Sequence, residues 1–125
     1  MHFTFMIYGE EGAYDRLPEE VRETFMEGHR ALQRALDERG PFATARLMPT
    51  SHAVTLKPVA EIDSPPLVVD GPFAETKERF LGLYIAEFAD IDEAIKYASY
   101  LSSPYAKIEV RPVNWAGGMF ASEES

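Results

Sequence analysis

The sequence predicts an α+β fold in which an antiparallel sheet carries two helices on one face. Three observations carry that reading. Apolar residues recur at helical spacing in two segments, Val21, Phe25, Leu32 and Leu36 in one and Ile91, Ala94, Ile95, Ala98 and Leu101 in the other. Three longer runs (Phe3–Tyr8, Arg79–Phe88, Lys107–Val113) are rich in β-branched and aromatic residues. The order of these pieces is β-α-β-(β-hairpin)-β-α-β. Without the hairpin it is the split β-α-β arrangement of a ferredoxin-like subunit. Such a sheet leaves one face uncovered. With this much apolar content in the strands, a second copy of the chain is the simplest cover, so a homodimer is expected.

Each element has its own local cause. Phe3–Tyr8 is apolar on both faces and reads as a central strand. Pro18 followed by Glu19 and Glu20 makes a good first helical turn, because proline is tolerated there and acids suit the positive end of the dipole. The helix should run from Pro18 to Glu38 and stop at Gly40-Pro41. Its apolar stripe has one gap, which His29 fills. Ala43–Met48, Ala53–Leu56 and Pro66–Val69 follow as short β-runs, the last two forming the hairpin. Gly82, inside the long strand Arg79–Phe88, marks a place where another backbone or a ligand approaches closely. Asp90-x-x-Glu93 resembles a capping box that opens the second helix, and Ser102-Ser103-Pro104 ends it. Lys107–Val113 alternates cleanly as the last strand, with Pro112 at its end.

Bulk properties narrow the function classes. With 125 residues the chain is read as one domain, residues 1–113, and a tail, 114–125, that is either flexible or packs on the partner subunit. A net charge of −9 without any Lys/Arg cluster argues against nucleic-acid binding. The absence of cysteine excludes disulfides, thiolate nucleophiles and cysteine metal sites. His2, His29 and His52 are scattered, and no His-x-His or His-Glu-x-x-His spacing suggests a metal. No phosphate-binding glycine loop or Gly-x-Ser-x-Gly elbow appears, so no cofactor and no serine hydrolase chemistry is expected. Neither a leader peptide nor a membrane span fits, and a cytoplasmic protein is the default.

The stretch richest in chemistry is Asp70-Gly71-Pro72-Phe73-Ala74-Glu75-Thr76-Lys77-Glu78. Asp-Gly-Pro admits little besides a tight turn, and four ionisable side chains follow one another within it. The plain reading is a solvated turn with a local Lys–Glu ion pair. The segment from Val69 to Glu78 also resembles the hallmark of the DGPF proteins, a branch of the YCII-related family. Asp90–Ile95 is similar to that family's second-helix start, and Glu109–Val113 to its final strand. The resemblance spans nearly the whole chain in the same order. It departs at Leu81, where relatives usually have the first of two glycines, and at His52 and Lys57 in the hairpin. It implies a ferredoxin-like subunit assembled as a dimeric α/β barrel. It also implies a histidine–aspartate acid–base site, with His29 matching the family's helix histidine in placement. No particular reaction is implied, and some relatives occur alongside extracytoplasmic-function sigma factors.

Two functions from different classes follow. In the first, His29 pairs with Asp70 and moves a proton on a small organic molecule, the carboxylate orienting the imidazole. The bland counterpart is a core-edge histidine hydrogen-bonded to a carbonyl. In the second, the protein is a non-catalytic ligand-binding or regulatory module, in keeping with the sigma-factor association. Arg46 and Arg111 are candidates for gripping an anionic group, since a guanidinium forks onto a carboxylate. Glu75 and Lys77 are further candidates for substrate contact, against a local ion-pair network. Tyr8 and Tyr84 are read as core aromatics, with the border of a pocket as the alternative.

Overall fold

The computed structural model describes residues 1–121. Its elements, in chain order, are β1 (His2–Glu10), α1 (Glu19–Asp37), β2 (Phe42–Arg46), β3 (Val54–Lys57), β4 (Leu67–Asp70), β5 (Glu78–Glu87), α2 (Ile91–Ala98) and β6 (Lys107–Pro112). Four strands form one sheet in the order β2-β5-β1-β6, with every pairing antiparallel. Taken with the two helices, this is compatible with a ferredoxin-like fold. Strands β3 and β4 pair antiparallel in a separate two-stranded sheet.

The alternation along β1 decides where the core lies. Phe3, Phe5 and Ile7 point to one face and meet Tyr84, Ala86 and Phe88 of the β5 segment. Leu32 and Leu36 of α1 close over them, together with Ala94, Ala98 and Leu101 of the α2 region. Both helices therefore pack on the same face. The opposite face carries Thr4, Met6, Tyr8, Leu83 and Ile85, all only half-buried. The Phe80 and Tyr8 rings meet at a tilt there, 5.6 Å apart.

Local causes match the sequence in detail at α2. Asp90 Oδ1 accepts the Glu93 backbone N–H at 2.9 Å, and Glu93 Oε1 accepts that of Ala89 at 3.2 Å. Two donors left orphan by the helix start are thus satisfied reciprocally. Gly82 sits where β2 crosses β5: a Cβ there would lie 2.6 Å from the Ala45 carbonyl oxygen. The close neighbour expected at Gly82 is a backbone. At the tail, Phe120 meets His2 of its own chain edge-on at 5.2 Å, whereas residues 122–125 lie outside the described part.

Candidate functional site

The site is built on three elements. Helix α1 presents His29 and Gln33 one turn apart on the side that meets the sheet. From below, β5 supplies Tyr84, which is only 2% exposed. Its phenol oxygen lies 2.8 Å from His29 Nδ1 and accepts from Gln33 Nε2 at 3.1 Å. The His29 and Tyr84 rings stack at 5.9 Å, and Phe25 flanks the imidazole at 5.3 Å. On the edge strand β2, Thr44 stands opposite Tyr84 in the register and Arg46 opposite Gly82. Both project to the helix side of the sheet, because residues two apart on a strand share a face.

Burial and charge act on His29 in the same direction. Partial burial between helix and sheet, and then the Arg46 guanidinium, push its pKa below the ordinary histidine value. The imidazole is therefore held neutral. Burial pushes the Tyr84 phenol up, against opposing hydrogen bonds from Gln33 and Thr44, so it too stays neutral. Arg46 itself lies over the ring of Tyr14 at 5.6 Å, Tyr14 contacts Phe25 at 5.6 Å, and Phe25 leads to His29. An aromatic wall thus runs from the guanidinium to the imidazole.

Of the residues singled out in the sequence, Tyr84 and Arg46 are the ones brought to His29. Asp70 ends β4, paired with Val54 in the small separate sheet, while α1 packs on the large one. No hydrogen bond or ion pair joins Asp70 to His29, and among the described residues the Asp70 carboxylate has no such partner at all. Arg111 pairs with Glu109 on β6. His52 is exposed in a 3-10 turn before β3.

The Asp70–Glu78 loop is organised differently from a turn with a Lys–Glu pair. Gly71 takes φ of 94°, and its N–H donates to the Ala53 carbonyl at 2.8 Å, which ties the turn to β3. Arg79 then reaches back over the loop: Nη1 donates to the Ala74 carbonyl at 2.6 Å and Nη2 to Glu75 at 3.3 Å. It also lies 3.9 Å from Glu11, whose carboxylate accepts the Thr50 backbone N–H and, at 2.7 Å, the Thr50 hydroxyl. Those Thr50 hydrogen bonds hold the Glu11 carboxyl below its ordinary pKa. Glu78 pairs with Lys107 at 2.9 Å, and Lys77 forms no ion pair among the described residues. Glu75 is thus engaged by Arg79, away from His29.

The YCII-related domain matches residues 1–114. The chain belongs to the YCII-related family. It is 38% identical over 117 residues to an uncharacterised protein of Rhizobium meliloti (strain 1021), covering 90% of this chain and 92% of that one. The family match covers every element from β1 to β6, and with them His29, Tyr84, Arg46 and the Arg79-clasped loop. Among the described residues, no helix of this YCII-related chain is long and apolar enough to cross a membrane.

The sequence points to His29 and Arg46, and to Tyr84 as a core aromatic with a pocket border as the alternative, but not to Gln33. Gln33 is four residues beyond His29, so helical spacing alone places it on the same side. Tyr84 alternates with Gly82 and Ala86 on the strand, which marks it as core-facing but gives no hint that its hydroxyl is used. Arg79 and Glu11 were read only as a strand start and a connection, because their partners come from distant segments.

Proposed function

We propose that this YCII-related protein handles protons on a small organic molecule at His29, with Tyr84 and Gln33 as the residues that position the ring. The observation that carries the reading is the Gln33–Tyr84–His29 chain of hydrogen bonds. In this reading the phenol oxygen accepts from Gln33 and donates its own hydrogen to Nδ1, and the neutral ring carries its hydrogen on Nε2. A neutral imidazole with Nε2–H outward polarises a carbonyl or stabilises an enolate-like oxygen, and exchanges a proton there. Proton abstraction next to a carbonyl, isomerisation and dehydration are reactions of this kind. Asp70 has no part in this reading, since nothing connects it to the ring.

The Asp70–Glu78 segment supports assignment to the DGPF branch of the family. The apolar, half-buried sheet face supports a homodimer, with the two sheets face to face as a dimeric α/β barrel and the β3–β4 hairpin as an insertion in each subunit. Exposed Val54, Leu56 and Val68 on that hairpin would find cover in the same assembly. Light scattering checks this point: a particle of about twice 14.1 kDa is expected, and a monomer at high micromolar concentration contradicts it.

A thermal-shift screen of small metabolites tests the site. A ligand that stabilises the wild type and Asp70→Asn, but neither His29→Gln nor Tyr84→Phe, is the expected result. Ligands that stabilise His29→Gln as well as the wild type contradict it, and a ligand whose binding needs no titratable group points to a binding module.

A further inference from the structure

We propose that the His29 site takes a small organic carboxylate, held between the Arg46 guanidinium and the imidazole. This rests on the His29 reading above and names the substrate class for it. In a chain of net charge −9, arginines find acids easily. Arg16, Arg30, Arg34, Arg39, Arg79 and Arg111 each hold at least one carboxylate. Among the described residues, the two arginines without one are Arg22, on α1, and Arg46, beside His29.

The surroundings of His29 explain what Arg46 is free to do. From β2 it faces Arg46, from β5 Tyr84, from its own helix Gln33 and Phe25, and beyond Phe25 lies Tyr14. None of these is an acid, and the one charged group among them is a cation. The cation–π contact with Tyr14 uses none of the guanidinium N–H groups, and among the described residues no side-chain acceptor takes one, so they are left for a forked pair with a carboxylate. Phe25 and Tyr14 give an apolar wall for a carbon skeleton, which favours an organic acid over inorganic phosphate.

The chemistry follows from charge. Without a ligand, Arg46 opposes a second positive charge on His29. A carboxylate seated between them neutralises Arg46 and stabilises the imidazolium, so the anion is bound together with a proton. Substrate binding thereby converts His29 from a neutral ring into a proton donor, and no oxidant or further cofactor is required. The proton comes from solvent and adds to Nδ1, where the Tyr84 oxygen turns from donor to acceptor, and the hydrogen on Nε2 becomes the one available to the bound substrate.

The experiment uses the full chain, with acetate, malonate and benzoate as probes and acetamide, chloride and inorganic phosphate as controls at matched ionic strength. His29 is followed by NMR, and proton uptake by calorimetry in two buffers of different ionisation enthalpy. The carboxylates should shift the His29 resonances saturably, raise its pKa and draw in protons. Arg46→Gln should bind at least about tenfold more weakly, Arg46→Lys should retain part of the binding, and Arg22→Gln should match the wild type. Arg46 is exposed on an edge strand, so these variants leave the core intact. Equal binding by Arg46→Gln, a response to acetamide or phosphate as strong as to carboxylates, or no response to any carboxylate each overturns the proposal. If a neutral metabolite still requires His29 and Tyr84 in the thermal-shift screen, the acid–base reading stands while the carboxylate assignment fails.

Discussion

The Tyr84 hydroxyl lies 2.8 Å from His29 Nδ1, so a strand residue with almost no exposed surface holds one nitrogen of the helix imidazole. The same oxygen accepts from Gln33, which leaves both α1 side chains dependent on one buried phenol. Removing that oxygen strands a donor and a ring nitrogen at once. Tyr84→Phe should therefore destabilise the fold by about 1–3 kcal/mol, read from the urea midpoint. A variant as stable as the wild type would mean that water replaces the phenol without loss.

The pH dependence has a defined sign. His29 is depressed below the ordinary histidine value of 6.5, first by burial and then by Arg46. Below that value the unfolded chain binds a proton that the folded chain still refuses, so stability should fall as pH drops through this window. Urea midpoints for wild type and His29→Gln, compared at about pH 7.5 and about pH 5.5, isolate this contribution. The wild type should lose more. For Tyr84 the phenol is raised, so the fold should lose stability as pH rises above about 10, where the unfolded phenol ionises and the folded one does not.

Arg79 should control the order of the Asp70–Glu78 loop. It grips Ala74 and Glu75 from one side and faces Glu11 on the other, while Glu11 anchors the Thr50 turn. Arg79→Met should speed tryptic cleavage after Lys77 severalfold with little change in the core. Glu11→Gln should show the same effect more weakly. Because the Thr50 hydrogen bonds lower the Glu11 pKa, its stabilising contribution is complete above about 4.5 and is lost as pH falls through the folded value. Equal cleavage rates in all three proteins would remove Arg79 from this role.

Gly28 offers a test of the helix packing. In a helix interior, replacing glycine with alanine ordinarily gains up to about 1 kcal/mol. Here the added Cβ would meet the Tyr100 carbonyl oxygen at 2.6 Å, a backbone atom that cannot step aside. Gly28→Ala should instead destabilise by about 1–3 kcal/mol, and a rise in the urea midpoint would contradict the close approach of α1 to the Ser99–Leu101 turn.

Much of this was legible in the sequence because it depends on local rules. The Phe3, Phe5, Ile7 alternation, the Leu32/Leu36 stripe and the Asp90/Glu93 cap each lie within a few residues of their cause, and each appears where the pattern puts it. The element ends moved slightly, as with β2, which stops at Arg46 rather than Met48: Leu47 still donates to Leu81, and the chain then enters the Thr50–His52 turn after Pro49. His29 was visible as a polar residue on an apolar stripe. Its partner was not, because Tyr84 lies 55 residues away and only the packing of α1 on β5 brings it near. Asp70 stands out for the opposite reason: its motif is conspicuous in sequence, whereas in the structure β4 pairs with β3 in a sheet of its own and no hydrogen bond joins Asp70 to His29.

The most direct test of the His29 site is its long-range proton–nitrogen NMR spectrum at neutral pH in wild type, Tyr84→Phe and Asp70→Asn. The account predicts a neutral ring with its hydrogen on Nε2 in the wild type, an unchanged pattern in Asp70→Asn, and a changed tautomer balance in Tyr84→Phe. A ring that carries its hydrogen on Nδ1, or that responds to Asp70→Asn and ignores Tyr84→Phe, would contradict it.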